Sequence, residues 1–156
     1  MIRVLIFLAF VGFYCARCEA EEIGGTNSLA VQVKLSLAKV RVGQTFRVSL
    51  RVENAAPTNQ SVLVWGCSWS ENWKTDNTNI VLFGQQCTKN TVGPVEIKPG
   101  GAYINEGEMQ VLHSVPGKKL SFRMGFTPFT GWNASFTGFV RGKTLWSKEV
   151  VIGVTP

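Results

Sequence analysis

The clearest chemistry in this sequence is a pair of cysteines, Cys67 and Cys87, which can form a disulfide. Two further cysteines lie near the N-terminus, in a segment that we predict is removed. A thiol pair in an oxidising compartment is normally cross-linked. We expect the bridge to tie the end of the predicted strand that contains Trp65 to the end of a short predicted strand, "IVLFG" (80–84), and so to pin the loop between them. A metal site is the weaker interpretation, because two thiols and the distant His113 are too few ligands.

Acid–base catalysis finds little support among the titratable residues. Outside the N-terminal segment the sequence holds one aspartate, Asp76, and one histidine, His113. Glu106 and Glu108 are two positions apart and would share one side of a strand. No cluster of aromatic or glycine residues surrounds them to prepare one as a proton donor, so we interpret them as solvated carboxylates. We predict that the protein is not an enzyme.

Other reactive arrangements are also missing from the sequence. Ser68 and Ser70 have no nearby histidine and no Gly-x-Ser-x-Gly turn. "KPGG" (98–101) indicates a turn and not a phosphate cradle. "DNTN" (76–79) carries oxygen ligands, but calcium takes six to eight oxygens, so we interpret it as an Asx-rich turn. We therefore expect no cofactor and no metal.

The aromatic residues suggest a binding role. Trp65, Trp69 and Trp73 are spaced by four, which keeps side chains on one face of a strand. Trp65 lies in an apolar run and is predicted to be core, whereas Trp73 lies among polar residues and either caps the fold or stands in solvent. Phe129 and Trp132 lie in a second candidate loop. If both loops lie at one end of the fold, they form an aromatic patch suited to sugars or proteins.

These observations predict a non-catalytic binding module, with aromatic anchors and two lysines at the rim. Its partner would be a protein or an envelope polysaccharide, and the sequence does not determine the oligomeric state. The alternative is an inhibitor or immunity-type protein that holds the stapled Cys67–Cys87 loop as a rigid wedge against a protease or other extracytoplasmic enzyme. A purely structural role is the third possibility. The candidate binding residues are Trp69, Trp73, Lys74, Lys89, Phe129 and Trp132.

The N-terminus has the pattern of a secretory signal peptide. Arg3 precedes an apolar run of ten residues, Val4 to Phe13, which is too short to span a bilayer core of about 30 Å. Small residues place a cleavage site after about Ala20, so we expect no transmembrane span in the mature chain. A lipid anchor on Cys15 or Cys18 is the alternative. The pattern predicts a secreted or periplasmic protein.

The charge balance is basic but not concentrated. Lysine and arginine number 16 against 10 acidic residues, which gives a net charge of +6. The basic residues are scattered, and "KK" (118–119) is the only adjacent pair, so we predict no nucleic-acid partner. The positive charge either serves solubility or attracts an anionic polymer or an acidic partner.

Alternating apolar residues predict a series of strands. Residues 29–37 and 44–54 alternate with period two, apolar on one side and polar on the other. "SVLVW" (61–65) is apolar on both sides at its start, which indicates a central strand. Further strands are predicted on both sides of "PGG" (99–101), in "KLSFRMGF" (119–126), and in a hairpin that turns at Arg141-Gly142-Lys143.

About eight strands, and no convincing helix beyond the signal segment, predict an all-β fold. We expect a single immunoglobulin-like antiparallel β-sandwich, with a barrel as the alternative. The predicted organisation is a signal peptide over 1–20, a flexible leader over 21–28 and the sandwich over 29–156.

Two stretches carry a family resemblance. "VRVGQTFRVSLRVEN" and the later "VEIKPGGAY" resemble the opening strands and turn of bacterial immunoglobulin-like modules, and are similar to the BsuPI proteinase-inhibitor-like family over about Val42 to Gln110. The segment from Cys67 to Asn90, with "FRMGFTP", departs from BsuPI and resembles a secreted bacterial group of unassigned activity. The resemblance implies a β-sandwich and, through BsuPI, protease inhibition, but it transfers no inhibitory residue.

Overall fold

The computed structural model describes residues 28–84, 87–88, 90–132 and 138–156. The predicted signal peptide, nearly all of the leader, and Lys89 lie outside the described residues. The described part is all-β, with two 3-10 helices, Trp69–Asn72 and Pro116–Lys118. None of its helices is long and apolar enough to cross a membrane. Its fourteen strands are β1 (Leu29–Leu35), β2 (Lys39–Arg41), β3 (Thr45–Asn54), β4 (Gln60–Trp65), β5 (Trp73–Thr75), β6 (Ile80–Phe83), β7 (Val92–Ile97), β8 (Ala102–Val111), β9 (Lys119–Phe122), β10 (Met124–Phe126), β11 (Phe129–Trp132), β12 (Phe139–Arg141), β13 (Leu145–Trp146) and β14 (Val150–Thr155).

The largest sheet has the order β1-β3-β8-β6 and forms from long alternating strands. Along β3, the apolar residues at even positions from Phe46 to Val52 are buried, while Thr45 and Arg47 are exposed. β3 pairs antiparallel with β1 on one side and with β8 on the other. The period-two pattern of this strand therefore predicted correctly which of its side chains enter the core.

Three smaller sheets complete the fold, with orders β12-β11-β4-β7, β13-β10-β5 and β2-β14-β9. Their pairings are antiparallel except for the parallel pair of β2 with β14. β4 lies between β11 and β7, which confirms the central position predicted from its apolar run.

One hydrophobic core joins all four sheets. Leu50 and Met109 of the large sheet share a cluster with Val64 of β4, Phe126 of β10 and Ile152 of β14. Burying one such side chain fully contributes about 1.5–3 kcal/mol to the free energy of folding. Burial in this shared core is therefore the main interaction that holds the short sheets together.

The chain crosses between sheets more often than its sequence suggested. The "PGG" turn is present, but β7 before it and β8 after it belong to different sheets. "KLSFRMGF" breaks at Arg123 into β9 and β10, which also belong to different sheets. The predicted hairpin at 141–143 is wrong, because β12 pairs with β11 whereas β13 pairs with β10. The last predicted strand also divides, into β13 and β14. The two divided strands and the unpredicted strands β2, β5 and β11 explain why the structure has fourteen strands where about eight were expected.

The predicted disulfide between Cys67 and Cys87 is present, with the two Cα atoms 6.0 Å apart. Cys67 follows β4 and Cys87 follows β6, and these strands lie in different sheets. The bridge therefore ties the ends of these two strands together, as we expected. Because the strands lie in different sheets, it also links two sheets, whereas we expected it to pin only the connecting loop. That loop itself supplies Trp73 and Ile80 to the core.

Reducing the disulfide is expected to lower the free energy of unfolding by about 3 kcal/mol, the chain-entropy value for a loop of about twenty residues. Urea unfolding of the wild type with and without dithiothreitol measures this difference. The double variant C67S/C87S serves as control. Its urea midpoint should equal that of the reduced wild type and should not change when dithiothreitol is added. Equal midpoints for the oxidised and reduced wild type would contradict a stabilising bridge.

Candidate binding surface

The outer face of the β12-β11-β4-β7 sheet carries aromatic side chains because its inner face is committed to the core. Along β4, Val62 and Val64 are buried in the core, and Leu63 and Trp65 have the opposite parity. Leu63 lies opposite Phe129 of β11, so both side chains project from the outer face.

Four rings on this face pack on one another, and we call them the aromatic cluster: Trp65, Phe129, Trp132 and Phe139. Phe139 is central, with ring centroids 5.8 Å from Trp65, 5.4 Å from Phe129 and 4.0 Å from Trp132. Trp65 also meets Phe129 edge to face at 5.5 Å. Such pairs contribute about 0.5–1.5 kcal/mol beyond their buried area. Phe129 is buried, whereas Trp132 is 56% exposed and lies at the open side of the cluster.

Arg141 borders the aromatic cluster. It lies opposite Phe129 in the β11–β12 register, and its guanidinium carbon is 5.3 Å from the Phe129 ring centroid. One terminal nitrogen donates a hydrogen bond to the Glu71 carbonyl oxygen at 2.9 Å. The cation is thus held beside the rings instead of being free in solvent.

The buried Asn72 joins the strands that carry the aromatic cluster. Its side-chain oxygen accepts a hydrogen bond from the Trp65 backbone N–H at 2.9 Å, and its amide group donates to the Thr127 carbonyl at 2.9 Å. Its own carbonyl accepts from the Thr127 N–H at 2.7 Å. One side chain therefore sets the spacing between the end of β4 and the chain entering β11.

A second exposed indole lies on the outer face of the β13-β10-β5 sheet. Trp146 of β13 and Lys74 of β5 lie on either side of Gly125 of β10 in the strand register. A Cβ at Gly125 would lie 2.8 Å from the six-membered ring of Trp146, so only glycine leaves room for the indole there. The Lys74 ammonium and the Arg123 guanidinium each lie 5.4 Å from the Trp146 ring centroid. We call Lys74, Arg123 and Trp146 the Trp146 patch.

Asp76 anchors Arg123 in this patch. The Arg123 backbone N–H donates to one carboxylate oxygen at 2.7 Å, and its Nε donates to the other at 2.8 Å. The backbone hydrogen bond and then the side-chain one hold the pKa of the Asp76 carboxyl below its ordinary value. This carboxylate is therefore neutralised by the arginine that it orients.

A shallow groove of about 200 Å³ connects the two features. Arg141 lines it on the side of the aromatic cluster, and Lys74 lines it on the side of the Trp146 patch. Exposed Glu71 also lines it, as do Trp73 and Thr127. The groove therefore brings together Arg141, which borders the aromatic cluster, and Lys74 of the Trp146 patch.

The structure separates the sequence-predicted binding residues. Phe129 and Trp132 belong to the aromatic cluster and Lys74 to the Trp146 patch, while Lys89 lies outside the described residues. Trp73 is only 6% exposed, packs on Phe126 at 5.1 Å and donates its indole N–H to Asn105 at 3.1 Å. The capping alternative for Trp73 is therefore correct, and its burial leaves it little surface to offer as a predicted binding residue.

Trp65 and Trp69 also differ from expectation. Trp69 packs against the core, where its ring would lie 2.7 Å from a Cβ at Gly107. Trp65, predicted to be core, lies instead with Phe129 and Phe139 on the outer face. The aromatic surface is therefore a sheet face, and not the pair of loops at one end that we expected.

Sequence reasoning missed four residues of this surface: Arg123, Phe139, Arg141 and Trp146. The alternation of Leu145 and Trp146 could have indicated that the indole points outward. No signal in the sequence could have placed Trp146 beside Lys74, because strands β5 and β13 are paired only through β10.

The residues considered for catalysis are scattered. Glu106 and Glu108 are exposed on β8, His113 is exposed beyond it, and Ser68 is buried. Asn77 accepts a hydrogen bond from the Asn79 backbone N–H at 2.9 Å, which agrees with the Asx-rich turn. Within the described ranges, no group of three or more histidine, cysteine, aspartate or glutamate residues could hold a metal.

Comparisons with known proteins do not identify a family. No family model matches the chain, and no curated protein matches it. It is similar to native alpha-2-macroglobulin from Escherichia coli, from domain MG7 to the C-terminus, with 17% identity and a TM-score of 0.45 over 85% of this chain and 17% of that one. It is also similar to a FixG-related protein from Vibrio parahaemolyticus, with 11% identity and a TM-score of 0.45 over 83% of this chain and 99% of that one. The chain thus spans about a sixth of the macroglobulin chain, and similarities at this level carry no argument on function. The resemblance to BsuPI stays a prediction.

Asn72→Ala should lower the free energy of unfolding by about 3 kcal/mol, because it leaves buried backbone groups of Trp65 and Thr127 without a partner. Thermal or urea unfolding measures the loss. Exposed Asn59→Ala is the matched control and should change stability by no more than about 0.5 kcal/mol. A loss no larger than that of the control would contradict the bridging role of Asn72.

Because of Asp76, the free energy of unfolding should decrease as the pH falls. Its carboxyl has a lowered pKa in the folded state, so its contribution is present above roughly pH 4, the unfolded value, and is lost as the pH falls through the folded pKa. Urea midpoints for the wild type and Asp76→Asn, measured at pH 6 and pH 3, should differ more at pH 6. A constant difference at both pH values would contradict this linkage.

Proposed function

We propose that this protein is an exported, non-catalytic binding module with an immunoglobulin-like sandwich, which contacts its ligand through the outer face of the β12-β11-β4-β7 sheet. The shared core between the large sheet and the three short ones supports the sandwich. The disulfide supports export, because such bridges persist mainly in oxidising compartments.

The observation that carries the binding role is the position of Trp132. Its exposed ring packs against Phe139, with ring centroids 4.0 Å apart, at the open side of the aromatic cluster, which lies outside the hydrophobic core. Trp132 is held by this packing, so it loses little conformational freedom when a ligand covers it. Tryptophan and arginine are the residue types that most often dominate binding energy at interfaces, and Arg141 borders the same cluster.

The alternative of a protease inhibitor receives no support from the stapled segment. Trp73 and Ile80, both within that segment, are buried in the core. The 3-10 helix Trp69–Asn72 is also fixed there through the buried Asn72. The burial of these residues favours the outer sheet face over the stapled segment as the contact surface.

Trp132→Ala should weaken ligand binding by at least about tenfold, which corresponds to about 1.4 kcal/mol. A glycan array selects the tightest glycan for wild-type protein, and calorimetry then compares the variants on that glycan. Ile104→Ala is the control, because Ile104 is also well exposed, at 46% against 56% for Trp132, but lies on β8 of the large sheet. An equal loss in both variants, or none in Trp132→Ala, would refute the assignment of this face.

A further inference from the structure

We propose that the Trp146 patch binds a polysaccharide that carries carboxylate or sulfate groups. A sugar ring would stack on the indole while its anionic group pairs with Lys74 and Arg123. This inference rests on the proposed function, since it assigns the ligand class to a patch that shares a groove with Arg141 beside the aromatic cluster.

The indole is prepared for stacking. A Cβ on Gly125 would clash with the Trp146 ring and with the Thr144 methyl group, so the indole lies directly over Gly125. The ring is therefore supported by strand β10, and Trp146 still remains 38% exposed. The faces of an aromatic ring carry partial negative charge and attract C–H groups, which a pyranose presents along its own face.

The charges beside the ring select an anionic sugar over a neutral one. Both cationic groups lie over the ring, 5.4 Å from its centroid, so an acidic substituent on a sugar at the exposed part of the indole is within reach of either. Asp76 and Arg123 form an ion pair and cancel each other's charge, so Lys74 supplies the net positive charge at the ring. Glu71 is the one other acidic residue that lines the adjoining groove, where Lys74 and Arg141 face it.

A polymer fits this surface better than a single sugar. The groove of about 200 Å³ leads from Lys74 to Arg141, and the aromatic cluster lies beyond it. Consecutive sugars could thus meet alternating cations and rings. The net charge of +6 adds long-range attraction for a polyanion. Nucleic acid is less favoured, because three cations with two acidic residues do not form the basic stripe that phosphate backbones require.

The test uses two matched polymer pairs, polygalacturonate with its methyl ester and dextran sulfate with dextran. Each pair differs in charge but shares a sugar backbone, and the two pairs distinguish carboxylate from sulfate. Calorimetry with the full, oxidised chain should show binding at least about tenfold tighter for the charged member of one pair. Lys74→Gln and Trp146→Ala should each remove about tenfold of that affinity. Lys34→Gln, an exposed lysine on β1, is the matched control and should bind as the wild type.

Several outcomes would overturn the inference. Equal affinity for charged and uncharged members, no binding to any of the four polymers, or wild-type affinity in Lys74→Gln would each refute it. Tighter binding of single-stranded oligo(dT), lost in the same variants, would show a nucleic-acid site instead. If Trp132→Ala weakens glycan binding and Lys74→Gln does not, the proposed function stands and this inference fails. If Lys74→Gln weakens binding and Trp132→Ala does not, the Trp146 patch is supported as a binding site and the role proposed for Trp132 is refuted.

Discussion

The alternation of side chains along the short strands determines which residues are exposed on the outer faces of the sheets. Trp73 of β5 and Phe126 of β10 pack on each other in the core, so their strand neighbours Lys74 and Gly125 must point outward. The same constraint acts on β4, where buried Val64 forces Trp65 to the outer face. The exposed surface is thus a direct consequence of which residues the core holds.

Two glycines extend this constraint to the tryptophans. Gly125 leaves an empty outward position that the Trp146 ring covers, and Gly107 leaves an empty inward position that the Trp69 ring covers. One ring consequently ends on the surface and the other against the core, although both sit over a glycine of a neighbouring segment. The spacing of the tryptophans could not predict which ring is exposed and which packs against the core, because the two glycines are distant from them in the sequence.

The alternation of apolar and polar residues predicted the long strands well. The number of cysteines and the predicted oxidising compartment were enough to predict the disulfide. β3 and β8 have enough residues for alternation to identify the buried side, and β4 was correctly placed inside a sheet. The short strands β2, β5 and β11 have three or four residues, too few for a period to emerge. Their partners are chosen by packing across the core, which is why the hairpin at 141–143 was wrong and why Arg141 and Trp146 were not expected on one surface.

The parallel pairing of β2 with β14 has a mechanical meaning. Gly153, Val154 and Thr155 run alongside Lys39, Val40 and Arg41 in the same direction. Tension that enters β2 from its N-terminal side and leaves β14 at its C-terminal side pulls the two strands lengthwise past each other. Their hydrogen bonds then share the load and must yield together, whereas bonds in an antiparallel hairpin pulled from its open end give way one after another. The contact between these two short strands therefore places a force-bearing clamp near the two ends of the folded chain.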